Sequence, residues 1–292
     1  EARRLGLRHV HSHYANSSAT VSRFTSWMTA TPYSFTAHAW DIYKHNVDPE
    51  ELTHNIADAR FVVAVSEFNK TYLERFAAGA AHKIVRIYNG IDLETFKPNG
   101  APLRTPWTLL CVARLVEKKG LPIFIEACRQ LRERRIPFRG WIVGSGRLRG
   151  RLAAQITRSR LKSQVYLFGS CTQRDVLKRY HAAHLFVLPC VIGSDGNRDG
   201  LPVSIVEALA CGIPVVTTPM TGNPEVIRHD HNGLLVPMGD PRALADALET
   251  IYRNSALYER LRANARPSIE TAFDLRRTSA QLARRFHGER DR

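Results

Sequence analysis

Short apolar runs recur along the chain, separated by stretches in which apolar positions fall every three or four residues. The first pattern predicts buried strands and the second predicts amphipathic helices packed on them. In the first third of the chain, strands are expected over residues 8–13, 32–38, 59–65 and 83–87, with helices over 17–28 and 67–78. Such alternation predicts a parallel sheet with crossover helices. Four strands make a thin domain. The pattern then resumes, with strands over 108–114, 138–143, 165–169, 185–189 and 233–237 and a helix over 121–134. A further helix turns Leu148, Leu152, Ile156 and Leu161 toward the core and leaves its arginines outside. Helices from Pro241 onward close this second domain.

The segment from Gly196 to Thr218 organises the rest. It reads as a polar loop, a helix of about ten residues and a buried strand. Pro202 suits the first helical position, where its missing N–H costs nothing, and Gly212 suits the residue that ends the helix. Asp199 sits just outside the helix start and Glu207 inside it, so the two acids need not share a helical face and can hold two ends of one extended ligand. Free N–H groups near Leu201 to Ser204 favour a phosphate between them. Upstream, Arg114-Leu-Val-Glu-Lys-Lys-Gly120 puts cations at the carboxyl edge of a sheet, as a departing diphosphate requires. Gly144-Ser-Gly-Arg147 follows a strand where a backbone can approach a nucleotide. On the residues alone, solubilising acids, a solvated basic loop and an ordinary turn remain the plainer alternatives.

Together, Asp199-x7-Glu207 and the Ala208-Leu209-Ala210-x-Gly212-x-Pro214-Val215-Val216 that follows resemble the acid-x7-Glu motif of retaining GT-B glycosyltransferases of family 4. The resemblance implies an α/β GT-B fold of two Rossmann-like domains with parallel sheets. Residues 1–95 would form the acceptor-side N-terminal domain, 96–106 a linker, 107–272 the nucleotide-sugar domain, and 273–292 a terminal helix crossing back to the first domain. The family's opening βα units and its first Gly-rich loop are not found, so the N-terminal domain is expected to be truncated.

The resemblance also implies roles. Glu207 would hold the ribose hydroxyls, and Asp199, where the family usually has Glu, would lie at the donor sugar. The family pattern Arg-Leu-x-x-x-Lys-Gly matches Arg114 and Lys119 as the clamp on the leaving diphosphate, with Lys118 extra. Gly144, Gly146 and Arg147 would approach the nucleotide, Phe168 and Gly169 would line the base pocket, and Gly200, Leu201 and Pro202 would approach the donor. His38, in Phe35-Thr-Ala-His-Ala-Trp-Asp41, matches a His that faces the donor sugar, with His9, His11, His13 and His45 as nearby competitors. Thr221 to Ile227 resembles the turn beside the donor site, with Glu225 as a more distant acid. Tyr88 to Pro98 resembles the interdomain linker, in which Gly90 permits a turn and Pro98 stiffens the exit.

The activity implied is transfer of a sugar from a UDP- or GDP-sugar, with retention, to a saccharide or lipid-linked acceptor. The Ser194 to Pro202 stretch looks most like bacterial colanic-acid-type exopolysaccharide transferases. No D-x-D motif occurs, so no metal is expected on the phosphates and no cofactor is required. A nucleotide-binding half-enzyme needing a partner, or another GT-B enzyme such as a sugar-nucleotide epimerase or a phosphorylase, are the competing readings.

Composition adjusts this picture at two points. The net charge of +15 invites a polyanionic partner, and eleven basic residues with one acid lie between Arg129 and Lys162. A solvated helix face is the plain account of that cluster, and peripheral contact with an anionic membrane carrying the acceptor is the sharper one. No nucleic-acid partner is expected, because aromatic or helical readout elements are missing among the arginines. Five scattered cysteines without a C-x-x-C pair read as reduced core thiols. No apolar run approaches the roughly 18 residues of a spanning helix, so a cytoplasmic location, at most peripheral at the inner face of a membrane, is expected.

Overall fold

The computed structural model describes residues 6–99 and 106–287. Residues 100–105 of the expected linker and 288–292 of the expected terminal segment lie outside the described residues. The chain divides into two compact units: Glu1–Gly90 with Ser194–Leu201 and Leu275–Arg292, and Ile91–Gly193 with Pro202–Asp274.

The first unit contains β1 (Val10–His13), α1 (Ser17–Thr29), β2 (Tyr33–Ala37), α2 (Trp40–Tyr43), α3 (Pro49–Asp58), β3 (Phe61–Ala64), α4 (Glu67–Glu74) and β4 (Ile84–Arg86). Its four strands form one parallel sheet in the order β1-β2-β3-β4. Tyr33, Phe35, Ile42, Leu52, Ile56 and Leu73 fill the core on one face. The helix α3 is not anticipated by the apolar pattern, although its start is well marked. The Asp48 side chain accepts from the N–H groups of Glu50 and Glu51, and Pro49 occupies the first turn. Leu52, Asn55 and Ile56 then fall on its buried face.

The second unit contains β5 (Trp107–Val112), α5 (Leu121–Glu133), β6 (Phe138–Val143), α6 (Arg149–Arg158), β7 (Val165–Gly169), α7 (Gln173–Ala182), β8 (Leu185–Leu188), α8 (Val203–Ala210), β9 (Val215–Thr217), α9 (Asn223–Val226), β10 (Gly233–Leu235), α10 (Pro241–Arg253) and α11 (Ser255–Ala265). Six parallel strands run in the order β10-β9-β8-β5-β6-β7. Strand order reverses between β5 and β8, and in open α/β sheets the crevice outside the carboxyl ends at such a reversal is where ligands bind. The sheet is nearly all apolar because helices cover it: α5 contributes Leu121, Phe124, Ile125 and Leu131, and α10 contributes Leu244, Leu248 and Ile251.

The last helix, α12 (Leu275–His287), belongs to the first unit. Its Leu282 and Phe286 pack against Phe61, Val63 and Ile87, on the sheet face opposite the main core. Gly90 serves this packing, not the turn expected of it. A Cβ there would lie 2.7 Å from Leu275 Cα and 2.2 Å from Thr278 Oγ1.

One further expectation is corrected. Pro202 is not the first helical residue: with ψ at 120° it is extended and precedes α8, which has eight residues and ends with Gly212 left-handed at φ +75°. Part of the basic cluster is engaged within the fold. Arg129 pairs with Glu126 and Glu133, Arg134 pairs with Asp246 and Glu249, and Arg132 donates to the carbonyls of Ser159 and Arg160. Exposed pairs of this kind contribute little stability, but they remove those side chains from any free cationic patch. Among the described residues, no helix is long and apolar enough to cross a membrane. The five cysteines are free thiols, and four of them are buried.

Candidate active site

In the second unit, the site is assembled from loops at the carboxyl ends of β5, β6, β7 and β8. After β5 the chain passes through exposed Arg114 and into a turn of 3₁₀ helix, Glu117–Lys119, in which Lys118 and Lys119 are 4% and 8% exposed. Two lysines this buried are unusual, because desolvating an ammonium is costly. Gly120 closes the turn at φ +63°, and a Cβ there would sit 1.8 Å from the Pro189 carbonyl oxygen. Only glycine lets this loop lie against the end of β8, where the N–H of Val191 donates to the Lys118 carbonyl at 2.9 Å.

The Gly144-Ser-Gly-Arg147 loop is locked onto the same place. A Cβ on Gly144 would lie 2.0 Å from the Ala113 carbonyl oxygen, and one on Gly146 would lie 2.6 Å from that of Leu115. The N–H of Leu115 donates to the Ser145 carbonyl at 2.8 Å, and the N–H of Leu148 donates back to the Leu115 carbonyl at 3.0 Å. The N–H of Gly144 donates to the Gly169 carbonyl at 2.8 Å. Arg114, Lys119, Gly144, Gly146, Arg147 and Gly169 therefore lie on adjoining loops at the carboxyl ends of β5, β6 and β7, beside the strand reversal. Phe168 is placed differently: its ring carries the guanidinium of Arg179, from α7, at 3.6 Å and meets Trp141 edge-on. Of the two base-pocket candidates, it is the backbone of Gly169 that adjoins the glycine loop.

Glu207 projects from α8 and is half-buried. Its Oε2 accepts from the Tyr180 hydroxyl at 2.8 Å, and that hydroxyl also lies 3.2 Å from the Ser204 carbonyl oxygen. Tyr180, on α7, is fully buried. Burial pushes the Glu207 carboxyl above its usual range, and the bond from Tyr180 offsets this only in part. A carboxylate held where burial opposes its charge is a functional candidate. The neighbouring Thr217 and Thr218 hydroxyls donate to the Leu188 and Cys190 carbonyls, tying the end of β9 to that of β8.

In the first unit, His38 follows β2 at the carboxyl edge of its sheet. Its N–H donates to the buried Asp41 carboxylate, which also accepts from the N–H groups of Ala15 and Ala39. Its carbonyl accepts from Asn69 Nδ2 at 2.5 Å, and Asn69 is itself held by the Tyr43 hydroxyl at 2.7 Å. The loop Ser194–Leu201 docks on this framework. Lys44 pairs with Asp195 at 3.2 Å, the N–H of His45 donates to the Asp195 carbonyl, and Arg198 stacks on Tyr43. A Cβ on Gly200 would meet the His38 carbonyl oxygen at 2.6 Å. The structure thus brings Asp199, 9% exposed, and Gly200 to the His38 segment.

The segment that reads in sequence as one motif is therefore shared. Asp199, Gly200 and Leu201 belong to the first unit with His38, whereas Pro202 and Glu207 belong to the second with Arg114, Lys119, the glycine loop, Phe168 and Gly169. Three residues hold these positions, and sequence reasoning missed two of them, Tyr180 and Asn69, while naming His13 only as a competitor of His38. Tyr180 supports Glu207, Asn69 supports His38, and His13 lies with its Nδ1 2.9 Å from His38 Nε2. Only His13 carried a signal, its alternation with His11 on one strand face.

The two units, each built on a parallel sheet, have the α/β GT-B fold of solved glycosyltransferase structures. The chain belongs to the family of glycosyl transferases group 1, which matches residues 93–268, and residues 1–95 match Glycosyltransferase Family 4. It is 43% identical over 162 residues to WcaL of Escherichia coli K12, named as a putative colanic acid biosynthesis glycosyltransferase, covering 54% of this chain and 39% of the relative. To the amylovoran biosynthesis glycosyltransferase AmsK of Erwinia amylovora it is 38% identical over 205 residues, covering 70% and 50%. The chain therefore spans half or less of the length of these curated relatives. Among solved structures, Anabaena HepE in complex with UDP and glucose matches with a TM-score of 0.84 at 22% identity, covering 96% of this chain and 77% of that one. At that identity the likeness is one of fold.

Proposed function

We propose that this chain carries the donor-binding and transfer machinery of a retaining glycosyltransferase that moves a sugar from a UDP- or GDP-sugar to a saccharide acceptor in exopolysaccharide assembly. The observation that carries the reading is the junction of the Arg114–Gly120 loop with the Gly144–Arg147 loop at the strand reversal of the second unit. The names of WcaL and AmsK support the pathway, and the UDP in the HepE complex supports the donor class.

In this reading Arg114 and Lys119 hold the diphosphate, the glycine loop lets backbone N–H groups approach it, and Glu207 accepts hydrogen bonds from the ribose hydroxyls. His38 and Asp199 take the donor sugar. The acceptor hydroxyl attacks the anomeric carbon on the face from which the diphosphate departs, so the sugar–phosphate C–O bond breaks as the new glycosidic bond forms. The hydroxyl proton passes to the leaving phosphate oxygen, which restores a neutral glycoside without a protein nucleophile. Charge grows on the diphosphate as that bond breaks, so cations there lower the barrier more than they tighten binding. No divalent metal is required for this clamp. Two of the exposed arginines on α6, Arg151 and Arg158, fit contact with an anionic surface that carries a lipid-linked acceptor.

The experiment is turnover of UDP- and GDP-sugars in EDTA, with the anomeric configuration of the product read by proton NMR. A product that retains the donor's configuration, with Lys119→Ala cutting kcat roughly a hundredfold, is the expected result. Inverted product, or wild-type turnover by Lys119→Ala, contradicts the proposal.

A further inference from the structure

His11 and His13 alternate along one face of β1, and His9, just before the strand, meets the same Ser34 hydroxyl as His11. Their ring nitrogens are committed in a defined order. His9 Nε2 and His11 Nδ1 both meet the Ser34 hydroxyl, at 2.7 and 2.6 Å, and His11 Nε2 meets the Thr36 hydroxyl at 2.9 Å. His13 meets no hydroxyl among the described residues. Its Nδ1 lies 2.9 Å from Nε2 of His38, with ring centroids 5.2 Å apart and planes inclined by 21°. Rings so nearly coplanar, at that separation, are joined edge to edge through a hydrogen bond in the ring plane.

Between two neutral imidazoles that bond contains one proton, and its owner fixes both tautomers. The surroundings keep His38 neutral: burial is the largest effect and lowers its pKa, the Asp41 carboxylate opposes this, and His13 adds to the lowering. His13 is exposed, so its Nε2 can keep its hydrogen toward water and leave the Nδ1 lone pair free to accept. His38 then carries its hydrogen on Nε2, and its Nδ1 is a bare acceptor. The rest of the segment is too rigid to evade this. The His38 backbone is bonded on both sides, to Asp41 and Asn69. Tyr14, held at φ +79°, lays its ring 4.9 Å from that of His38 and 5.3 Å from that of Trp40. A left-handed backbone at a tyrosine is strained and persists only where its surroundings enforce it.

We infer that His13 is a positioning residue that locks His38 in the Nε2–H tautomer and presents Nδ1 as a hydrogen-bond acceptor for a ligand hydroxyl. This rests on the proposed function for the identity of that ligand as the donor sugar, but not for the tautomer itself.

Two measurements separate the two claims. The first is the ring nitrogen spectrum of the 15N-labelled chain without ligand. It should show His38 with a protonated Nε2 and an unprotonated Nδ1. In His13→Phe, which keeps an aromatic ring but loses the acceptor, the His38 signals should move to tautomer-averaged positions. His13→Asn, whose side-chain oxygen can stand where Nδ1 stood, should restore the locked pattern. Averaged or Nδ1-protonated signals in the wild-type chain overturn the inference, and so does a locked pattern that survives in His13→Phe. The second is turnover, where His13→Phe should lower kcat about tenfold or more with KM for the acceptor little changed, and His13→Asn should recover most of it. A locked tautomer with wild-type turnover in both His13→Phe and His38→Ala leaves the tautomer inference standing and removes His38 from the sugar site.

Discussion

Glu207 shows how a single residue can oppose stability and function. Its carboxyl is half-buried with one hydroxyl partner, so the folded state disfavours the charge on which the proposed ribose contact depends. Glu207→Gln keeps the size and the bond from Tyr180 while removing the charge. At pH 7 it should raise the stability of the ligand-free chain by roughly 1 kcal/mol while weakening nucleotide binding at least tenfold, by denaturant titration and calorimetry respectively. Lower stability together with unchanged affinity would place Glu207 among ordinary structural acids. The histidines set a second residue-scale expectation. Burial is the largest effect lowering His11 and His184, each to about 4, with repulsion from His13, His9 and His38 adding at His11 and from Arg262 at His184. A base whose folded pKa lies below its unfolded value of 6.5 leaves the unfolded chain to take up protons first as pH falls. The stability of the chain should therefore be level above pH 6.5 with respect to these groups and should fall between 6.5 and about 4. In His184→Gln, denaturation midpoints across that window should fall less steeply. An unchanged slope would show that His184 is not held neutral by the fold.

At the scale of elements, Gly120 makes the sharpest demand. Alanine there would combine a left-handed backbone with a 1.8 Å approach to a main-chain oxygen that has no rotamer to change. Gly120→Ala should cost at least ~3 kcal/mol and uncouple the loops after β5 and β8, reducing the melting temperature and nucleotide binding together. A variant of wild-type stability would show that the two loops do not depend on this contact. Most elements are legible in the sequence alone, because buried strands in a parallel sheet are continuous apolar runs and the helices around them keep a regular apolar stripe. What escapes is set by contacts distant in sequence. Nothing local in Ser194–Leu201 says that it docks on Lys44, Tyr43 and His45, and nothing in Gly90 says that it makes room for α12 rather than for a turn. The helix α3 is a different case: its Asp48-Pro49-Glu50-Glu51 start is readable, but the apolar stripe behind it is interrupted by Asn55, whose side chain reaches the Ala15 carbonyl and Thr20. Of the candidate site, Arg114, Lys119 and the glycine loop are legible from their places after strands. Tyr180 is not, since a tyrosine at helical spacing reads as core until its hydroxyl is seen on Glu207.

For the whole molecule, the fold and the family agree. Each unit brings its own share of the proposed machinery: the first holds the His38 backbone in a web of hydrogen bonds with Asp199 on the loop docked beside it, and the second holds the cations, the glycine loop and Glu207. Arg129 and Arg134 are paired with acids within the chain, whereas α6 presents exposed arginines as one face for contact with an anionic surface. Sedimentation with vesicles of anionic lipid should recover the chain at low salt and release it as salt rises, and Arg151→Glu with Arg158→Glu should abolish recovery. Equal recovery by that double variant would remove α6 from any membrane-facing role. The central claim is that the second unit binds a nucleoside diphosphate through Arg114, Lys119 and Glu207 without a metal. Isothermal titration of the purified chain with UDP and GDP in EDTA, beside ADP and CMP, tests it most directly. One of UDP or GDP should bind in EDTA, and that binding should be lost in Glu207→Ala. A folded chain that binds no nucleotide, or binds one only when a divalent metal is restored, would contradict it.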